Sequence, residues 1–449
     1  LGKLLVSVSG IRGIIGDTLT PEIALKYGRA FGSYINGGKV MIGRDTRYHG
    51  PMIFSAAAAG LMATGCNVTD IGVATTPTVE FAVRESASAG GIAITASHNP
   101  IEYNALKLIG PGGTFLTESQ GKKFLKHFNN ENKYQKTSKL KSPKIGNYLQ
   151  QDSWDLKHIR AIIGLDIIKP ALLKRKKFRV VADCVNATVS SVAAELFNSL
   201  GCTLKLINAI PDGKFPRPPE PAPANLKQLC RAVKSFKADV GFAFDPDGDR
   251  MAIVDENGKA IGEELTLALG MRYILSKKKG PAAVNLSSSM INDFVAAEAG
   301  VKLYRTKVGE INVTEKLKKI KGIVGGEGNG GLIYPEMLYG RDGLMAAAVI
   351  LQYMAVSRKR ISELVLELPG TIMIKKIIML NGKKINLKKI AKTFKDGKID
   401  SRDGIKVIFK DSWLQVRLSN TEPVVRLITE AYNPKKARFL ADEVEKLMT

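Results

Sequence analysis

Residues 94–110, ITASHNPIEYNALKLIG, place a serine, a histidine and a lysine just beyond an apolar run. The run at 91–94 stops at Thr95, so Ser97 presents its hydroxyl where a buried strand gives way to a polar turn. His98 and Lys107 are groups able to move protons. An ordinary loop has the same composition, so the turn gains meaning only from the rest of the chain. A second segment, DPDGDR, follows the apolar run VGFAF. Asp245, Asp247 and Asp249 alternate, and three carboxylates can converge on one hard cation if the backbone curls around it. An all-oxygen donor set with no nearby His or Cys favours Mg²⁺. An EF-hand count from Asp245 would end at Glu256. Arg250 stands where that loop needs glycine, however, and Pro246 and the leading strand also oppose it. A metal-free acidic turn is the remaining alternative.

Two further segments carry binding chemistry. GGEGNGG, at 325–331, sets Glu327 and Asn329 on a flexible glycine loop ahead of YGRDG. Carboxylate and amide can each bridge neighbouring hydroxyls of a polyhydroxylated ligand. Thr306 to Glu310 is a similar turn and adds Thr306 and Gly309 to the candidates. RLSNTEPVVR, from Arg417 to Arg426, reads as a turn between two strands. Ser419, Asn420 and Thr421 with successive backbone N–H groups can form an anion nest. Arginine on each side adds a bidentate fork for phosphate. A plain hairpin with exposed arginines has the same pattern.

The elements that must hold these segments follow a repeat. An apolar run, a helix ending at glycine and a second apolar run occur three times. They begin at KVMIGRD (39–45), FRVVAD (178–183) and PAAVNL (281–286), and the helices end at Gly65, Gly201 and Gly300. Glycine closes a helix with a left-handed residue at little cost. Strand, helix and strand in this order predict a largely parallel sheet, and three copies predict three related α/β domains. The polar run 129–153 reads as the first joint, the turn at 255–258 as the second, and Leu368-Pro369-Gly370 as the opening of the last portion. That portion, with GIKVIF, WLQVRL, VVRLITEA and a final helix, predicts a smaller α+β domain. PRPPEPAP at 216–223 reads as a stiff surface loop rather than a polyproline ligand.

The bulk numbers exclude several classes. A chain of 449 residues that is 45% hydrophobic has room for several cores. Its strongest apolar stretch, at 343–356, is too short for a bilayer span and reads as a buried helix. The start, LGKLLVSVSGIRGIIG, lacks the long apolar core and cleavage site of a signal peptide. Four cysteines without CxxC spacing fit a reducing compartment, and a cytoplasmic location is expected. The net charge of +25 raises nucleic acid as a partner. The lysines are dispersed and only 7% of residues are aromatic, so specific nucleic-acid binding is not expected. Small anionic ligands suit the charge equally well.

A serine, a cation site, a hydroxyl-binding loop and a phosphate clamp are together the parts of phosphoryl transfer to or from a sugar phosphate. The chain resembles the α-D-phosphohexomutases, from SGIRG near residue 9 through TASHNP, DPDGDR and GEGNGG to RLSNTEP, in the family's order over all four regions. The resemblance implies three related α/β domains with mixed, largely parallel sheets plus a C-terminal α+β domain, arranged around a central cleft. The expected divisions are 1–153, 154–257, 258–369 and 370–449. It implies that Ser97 carries a phosphoryl group and that Asp245, Asp247 and Asp249, with an oxygen of that group, hold Mg²⁺. Lys107 matches the family's candidate base, and His98 lies beside the phosphoserine. Arg12, in SGIRG, and Arg250 are expected near the transferred group. Glu327 and Asn329 are expected to grip the sugar. Arg417, Ser419, Asn420, Thr421 and Arg426 are expected to hold the phosphate that is not reacting. A hexose 1,6-bisphosphate is the implied intermediate, and a monomer or dimer without membrane contact is the implied form. Some branches of the family carry Ser and His where this chain has Asn329 and Gly331, and His or Asp where it has Glu310. The favoured substrate is glucosamine phosphate, with mannose or glucose phosphate close behind. A Mg-dependent sugar phosphatase is the alternative of a different class.

Overall fold

The computed structural model describes residues 4–7, 10–129, 145–379, 385–418 and 424–448. Three sheets share one arrangement. In the second domain the order is Thr203–Ile207, Arg179–Asp183, Val240–Phe244, Met251–Val254, with the first two pairings parallel and the last antiparallel. In the third domain Leu303–Thr306, Ala282–Asn285, Val324–Glu327 and Gly331–Ile333 repeat that order and those directions. The first domain repeats it again with Cys66–Val73, Gly38–Arg44, Gly90–Ile94 and Tyr103–Gly110. It then extends the sheet at both edges. Gly10–Ile14 pairs antiparallel with Tyr103–Gly110, and Tyr148–Gln150 pairs parallel with Cys66–Val73. The polar run at 129–153 thus returns a strand to the first sheet before the chain moves on.

The crossover helices Gly50–Met62, Ala193–Ser199 and Ile291–Glu298 are followed by Gly65, Gly201 and Gly300 at φ 82°, 76° and 68°. Those are left-handed values that a Cβ disfavours, which is why glycine recurs at the three stops. Among the described residues, no helix is long and apolar enough to cross a membrane.

The last portion is a five-stranded antiparallel sheet. Its order is Ile372–Met379, Val424–Ala431, Ser412–Leu418, Ile405–Ile408, Lys398–Asp400. The final helix Pro434–Lys446 packs on it. This domain keeps its own core. It is docked on the third domain by buried polar groups. Lys406 Nζ donates to the Leu286 carbonyl at 2.5 Å, Ser287 Oγ to Gln415 Oε1 at 2.8 Å, and the Met290 amide to Glu430 Oε2 at 2.8 Å.

The apolar stretch forms the helix Gly343–Ser357, with twelve of its fifteen residues buried. It packs against Glu263–Lys277, Trp154–Ile163 and Pro170–Lys176, inside a core continuous from the first domain to the third. Its N-cap, Asp342, accepts from the Met345 amide at 3.0 Å and pairs with His158 Nε2 at 2.8 Å. His158 Nδ1 in turn meets Thr78 Oγ1 at 2.9 Å. One fully buried polar chain therefore ties three domains together. Asp342→Ala removes a cap worth about 1 kcal/mol and leaves the buried Nε2 of His158 without its partner at roughly 1–3 kcal/mol. Urea unfolding should show a loss of about 2–4 kcal/mol.

Candidate functional site

In all three repeats the chemistry-bearing turn joins the same two strands, the third and the antiparallel fourth. TASHNP follows Gly90–Ile94, DPDGDR follows Val240–Phe244, and the GEGNGG turn follows Val324–Glu327. Ligands gather beyond the carboxyl ends of parallel strands in such sheets. Here the three turns meet in a cleft of about 670 Å³, to which the fourth domain adds Arg417 and Arg426. That volume lies within the usual range for small-molecule sites.

Ser97 is 3% exposed and sits at φ 50°. A left-handed serine costs on the order of 1 kcal/mol and persists only where its surroundings hold it. Arg47 supplies the hold. Its guanidinium donates to the carbonyls of Ser97, Asn99 and Pro100 at 2.8, 2.8 and 2.7 Å, and Asp45 anchors it at 3.0 Å. The strained turn aims Ser97 Oγ at Asp245 Oδ2, 2.8 Å away, with His98 Nδ1 at 3.3 Å. Arg250, burial and Arg12 hold His98 well below the ordinary imidazole value, so it is neutral at pH 7.

Asp245, Asp247 and Asp249 are buried, and they offer oxygens within 4.8 Å of one another. Gly248, at φ 69°, makes the curl that brings them together. Burial and the two neighbouring carboxylates push Asp245 well up. Burial also opposes the Asp247 charge, but Lys107 and hydrogen bonds outweigh it and hold this carboxyl well below the usual range. The donors are Lys107 Nζ at 2.6 Å and Thr76 Oγ1 at 2.7 Å, both on Oδ2. Asp247 Oδ1 and Asp249 Oδ1 are buried without hydrogen-bond partners. Buried carboxylate oxygens without a hydrogen bond, in a trio whose oxygens converge, are what a cation site requires, and the donor set fits a hard divalent ion. Lys107 is kept protonated: burial would lower it, and Asp247 and Asp249 outweigh burial.

Arg12 and Arg250 both line the cleft. Arg12 Nη1 donates to Asn99 Oδ1 at 2.5 Å, and Arg250 lies 3.6 Å from Asp249. Glu327 and Asn329 also line it, but Glu327 is not on a loose loop. It closes a strand, and its carboxylate accepts from Asn285 Nδ2 at 2.7 Å, the Gly309 amide at 2.9 Å and Arg341 Nη1 at 2.6 Å. The glycines of that segment allow close packing instead: a Cβ at Gly330 would lie 2.5 Å from the Met251 carbonyl oxygen. Gly309 contributes its amide at φ 115°. Thr306 is buried, turns its hydroxyl to the Lys307 carbonyl and does not line the cleft. Arg417 and Arg426 stand opposite each other in register on adjacent strands. Ser419, Asn420 and Thr421 lie outside the described residues.

Several residues in or near the cleft are not among the candidates that the sequence singles out. Arg341 bridges Asp249, Glu310 and Glu327. Glu264 receives Lys375 from the fourth domain at 2.9 Å. Burial pushes Glu264 and Glu310 up to about 7 each. Glu80 is buried with neither oxygen hydrogen-bonded. The proline-rich loop is more than surface, because Glu220 and Ala222 line the cleft and Glu220 pairs with Arg250 at 3.5 Å. Arg341 had one sequence signal: it precedes an aspartate placed to cap a long apolar helix.

A fold of three like α/β units and a fourth sheet domain, each lending a polar segment to one cleft, defines a class of sugar-phosphate enzymes. Models described as phosphoglucomutase/phosphomannomutase alpha/beta/alpha domains I, II and III match residues 3–135, 156–258 and 262–372, and the C-terminal domain of that group matches 375–447. A protein of Thermococcus kodakarensis named phosphoglucomutase/phosphomannomutase is 40% identical over 98% of this chain and 96% of its own. A probable phosphoglucosamine mutase of Methanopyrus kandleri is 37% identical over 97% of this chain and 95% of its own. The crystal structure of a phosphoglucomutase/phosphomannomutase family protein from Burkholderia thailandensis superposes with a TM-score of 0.84 at 29% identity, covering 99% and 98% of the two chains. The chain belongs to the phosphoglucomutase/phosphomannomutase family, the α-D-phosphohexomutases, and is an isomerase of that group.

Asp247→Asn keeps the shape of the turn while removing one of the converging charges. Titration with Mg²⁺ should show activation shifted to at least tenfold higher concentration, while circular dichroism stays that of the wild type.

Proposed function

We propose that the protein moves a phosphoryl group between O6 and O1 of a hexose phosphate through Ser97, with glucosamine 6-phosphate as the preferred substrate. The observation that carries this is the 2.8 Å contact of Ser97 Oγ with Asp245, one of the aspartate trio, at a cleft that Arg417 and Arg426 also line. Asp245, Asp247, Asp249 and Ser97 would hold Mg²⁺, which neutralises charge on phosphoryl oxygens as the group moves. Ser97 gives its phosphoryl to the free hydroxyl of the bound sugar. The new P–O bond forms as the Ser97 Oγ–P bond breaks; neutral His98 is assigned to take the hydroxyl's proton, and Lys107, held protonated, to supply one to the departing serine oxygen. The resulting 1,6-bisphosphate turns over in the cleft and returns its other phosphate to Ser97. Arg12 and Arg250 balance charge at the transferred group. Arg417 and Arg426, with Ser419, Asn420 and Thr421, hold the phosphate at the far end.

The sugar preference rests on charge. Around the Glu327–Asn329 turn, Glu263, Glu264, Glu310 and Glu327 face Arg341 and Lys375. Four carboxylates share these two cations, and burial still opposes ionisation of Glu264 and Glu310, so a cationic ligand would add counter-charge to the group. A charge pair at about 4 Å is worth roughly 4 kcal/mol before desolvation. A 2-ammonium therefore has more to gain here than a hydroxyl. Mannose or glucose phosphate is the second choice, favoured by the name of the Thermococcus kodakarensis relative. The substrate is a small cytoplasmic sugar phosphate, and no sequence-specific nucleic-acid binding is proposed.

Initial rates with glucosamine 6-phosphate, mannose 1-phosphate and glucose 1-phosphate should give the amino sugar a kcat/KM at least tenfold higher. Inorganic phosphate should stay at background. A higher kcat/KM on a neutral sugar reverses the substrate choice, and phosphate release at the rate of turnover makes the enzyme a phosphatase.

A further inference from the structure

Arg341 is the buried cation at the centre of the sugar side of the cleft. It is 8% exposed and makes polar contacts to carboxylates of two domains. Nη1 donates to Glu327 Oε2 at 2.6 Å, and Nη2 donates to Asp249 Oδ2. Nε lies 3.1 Å from Glu310 Oε2 as an ion pair, and the Arg341 amide donates to Glu310 Oε1 at 3.0 Å. The residue is rigid at its base as well. Asp342 is held by the helix it caps, by His158, and by its own amide donating to the Leu332 carbonyl at 3.0 Å. A guanidinium is a planar fork, so these partners set its orientation as well as its place.

The stem of this arginine occupies a notch. A Cβ on Gly331 would fall 2.2 Å from Arg341 Cδ and 2.9 Å from Cγ. No real side chain approaches that closely, so glycine at 331 is the condition for this arginine to lie where it does.

The consequence falls on Glu327. A carboxylate offers about four acceptor positions. Asn285 and Gly309 take two on Oε1, and Arg341 takes one on Oε2. One position is left on Oε2. The neighbouring Asn329 Oδ1 is buried without a hydrogen-bond partner, and both residues line the cleft. The sugar site therefore presents two single acceptors rather than a carboxylate that bridges two hydroxyls.

We infer that Arg341 is a positioning and specificity residue. It ties the sugar-binding Glu327 to the metal-site Asp249, so that the acceptors for the sugar ring keep a set place relative to Ser97, and Gly331 is the notch that admits it. This role presupposes the phosphohexomutase reaction proposed above. Arg341 itself breaks and makes no bond. It decides which ring donors are recognised and how the reacting hydroxyl is presented.

Two variants separate this from a plain structural role. Arg341→Lys keeps a charge but loses the fork. Gly331→Ala leaves the arginine in the chain and expels its stem from the notch. Each is purified, checked for a wild-type circular dichroism spectrum and assayed for kcat and KM on the three hexose phosphates, alongside the wild type. The expected result is a KM raised about tenfold or more on the preferred sugar. The ratio of kcat/KM between preferred and poorest sugar should fall by a similar factor. If Arg341→Lys does not fold, Gly331→Ala decides. Folded variants with wild-type KM and wild-type sugar ratio overturn the inference. A uniform loss of kcat on every sugar with the ratio unchanged also overturns it, because that is what a structural role would produce. A wild-type enzyme inactive on all three sugars overturns the mutase function first, and this role with it.

Discussion

Three carboxylates that repel one another are held together beside this cleft, and most of the side chains that quiet them come from other domains. Thr76, Ser97 and Lys107 of the first domain all donate to Asp245 or Asp247 of the second. Burying such a group without partners costs several kcal/mol for each charge. The contact between the two domains is therefore organised by electrostatics rather than by apolar fit alone. The same arrangement leaves two carboxylate oxygens without a hydrogen bond in a trio close enough to share a cation. The need to satisfy buried charge thus becomes the means of placing a serine hydroxyl beside a carboxylate trio able to hold a metal ion.

The threefold use of one turn explains how residues so far apart in the chain meet. Each repeat ends its third strand in a polar turn and returns antiparallel, so a functional loop always leaves the same end of its sheet. The continuous core around Gly343–Ser357 then fixes the three sheets relative to one another. The fourth domain keeps a separate core and docks through polar contacts. Polar contacts can be exchanged for water at small net cost, whereas an apolar core cannot. That division suits the proposed reaction, in which the intermediate turns within the cleft.

Much of this was legible in the sequence because the signals are local. Apolar runs with a helix stopped by glycine gave the three repeats, and alternating aspartates after a strand gave the trio. Other features depend on partners distant in sequence. Arg47 straps the Ser97 turn from fifty residues upstream, and Arg341 reaches Asp249 from ninety-two residues downstream. No window of composition shows such a pairing. The glycines at 325–331 misled in a different way. They serve close packing around a strand end, not looseness, because backbone and side-chain atoms from elsewhere in the chain fill the space a Cβ would take. The strand Ile372–Met379 lacks the apolar–polar alternation of a half-buried strand, because Ile372, Ile377 and Met379 are apolar yet exposed.

The central claim is that Ser97 itself carries the phosphoryl group that the sugar receives. Intact-mass spectrometry tests it directly. The protein is treated with hexose 1,6-bisphosphate and Mg²⁺, freed of ligand, and then mixed with hexose monophosphate. The account predicts one added phosphoryl group, mapped by peptide fragmentation to Ser97, that disappears on mixing without release of inorganic phosphate. A protein that gains no such group, or gains it on another residue, contradicts the account.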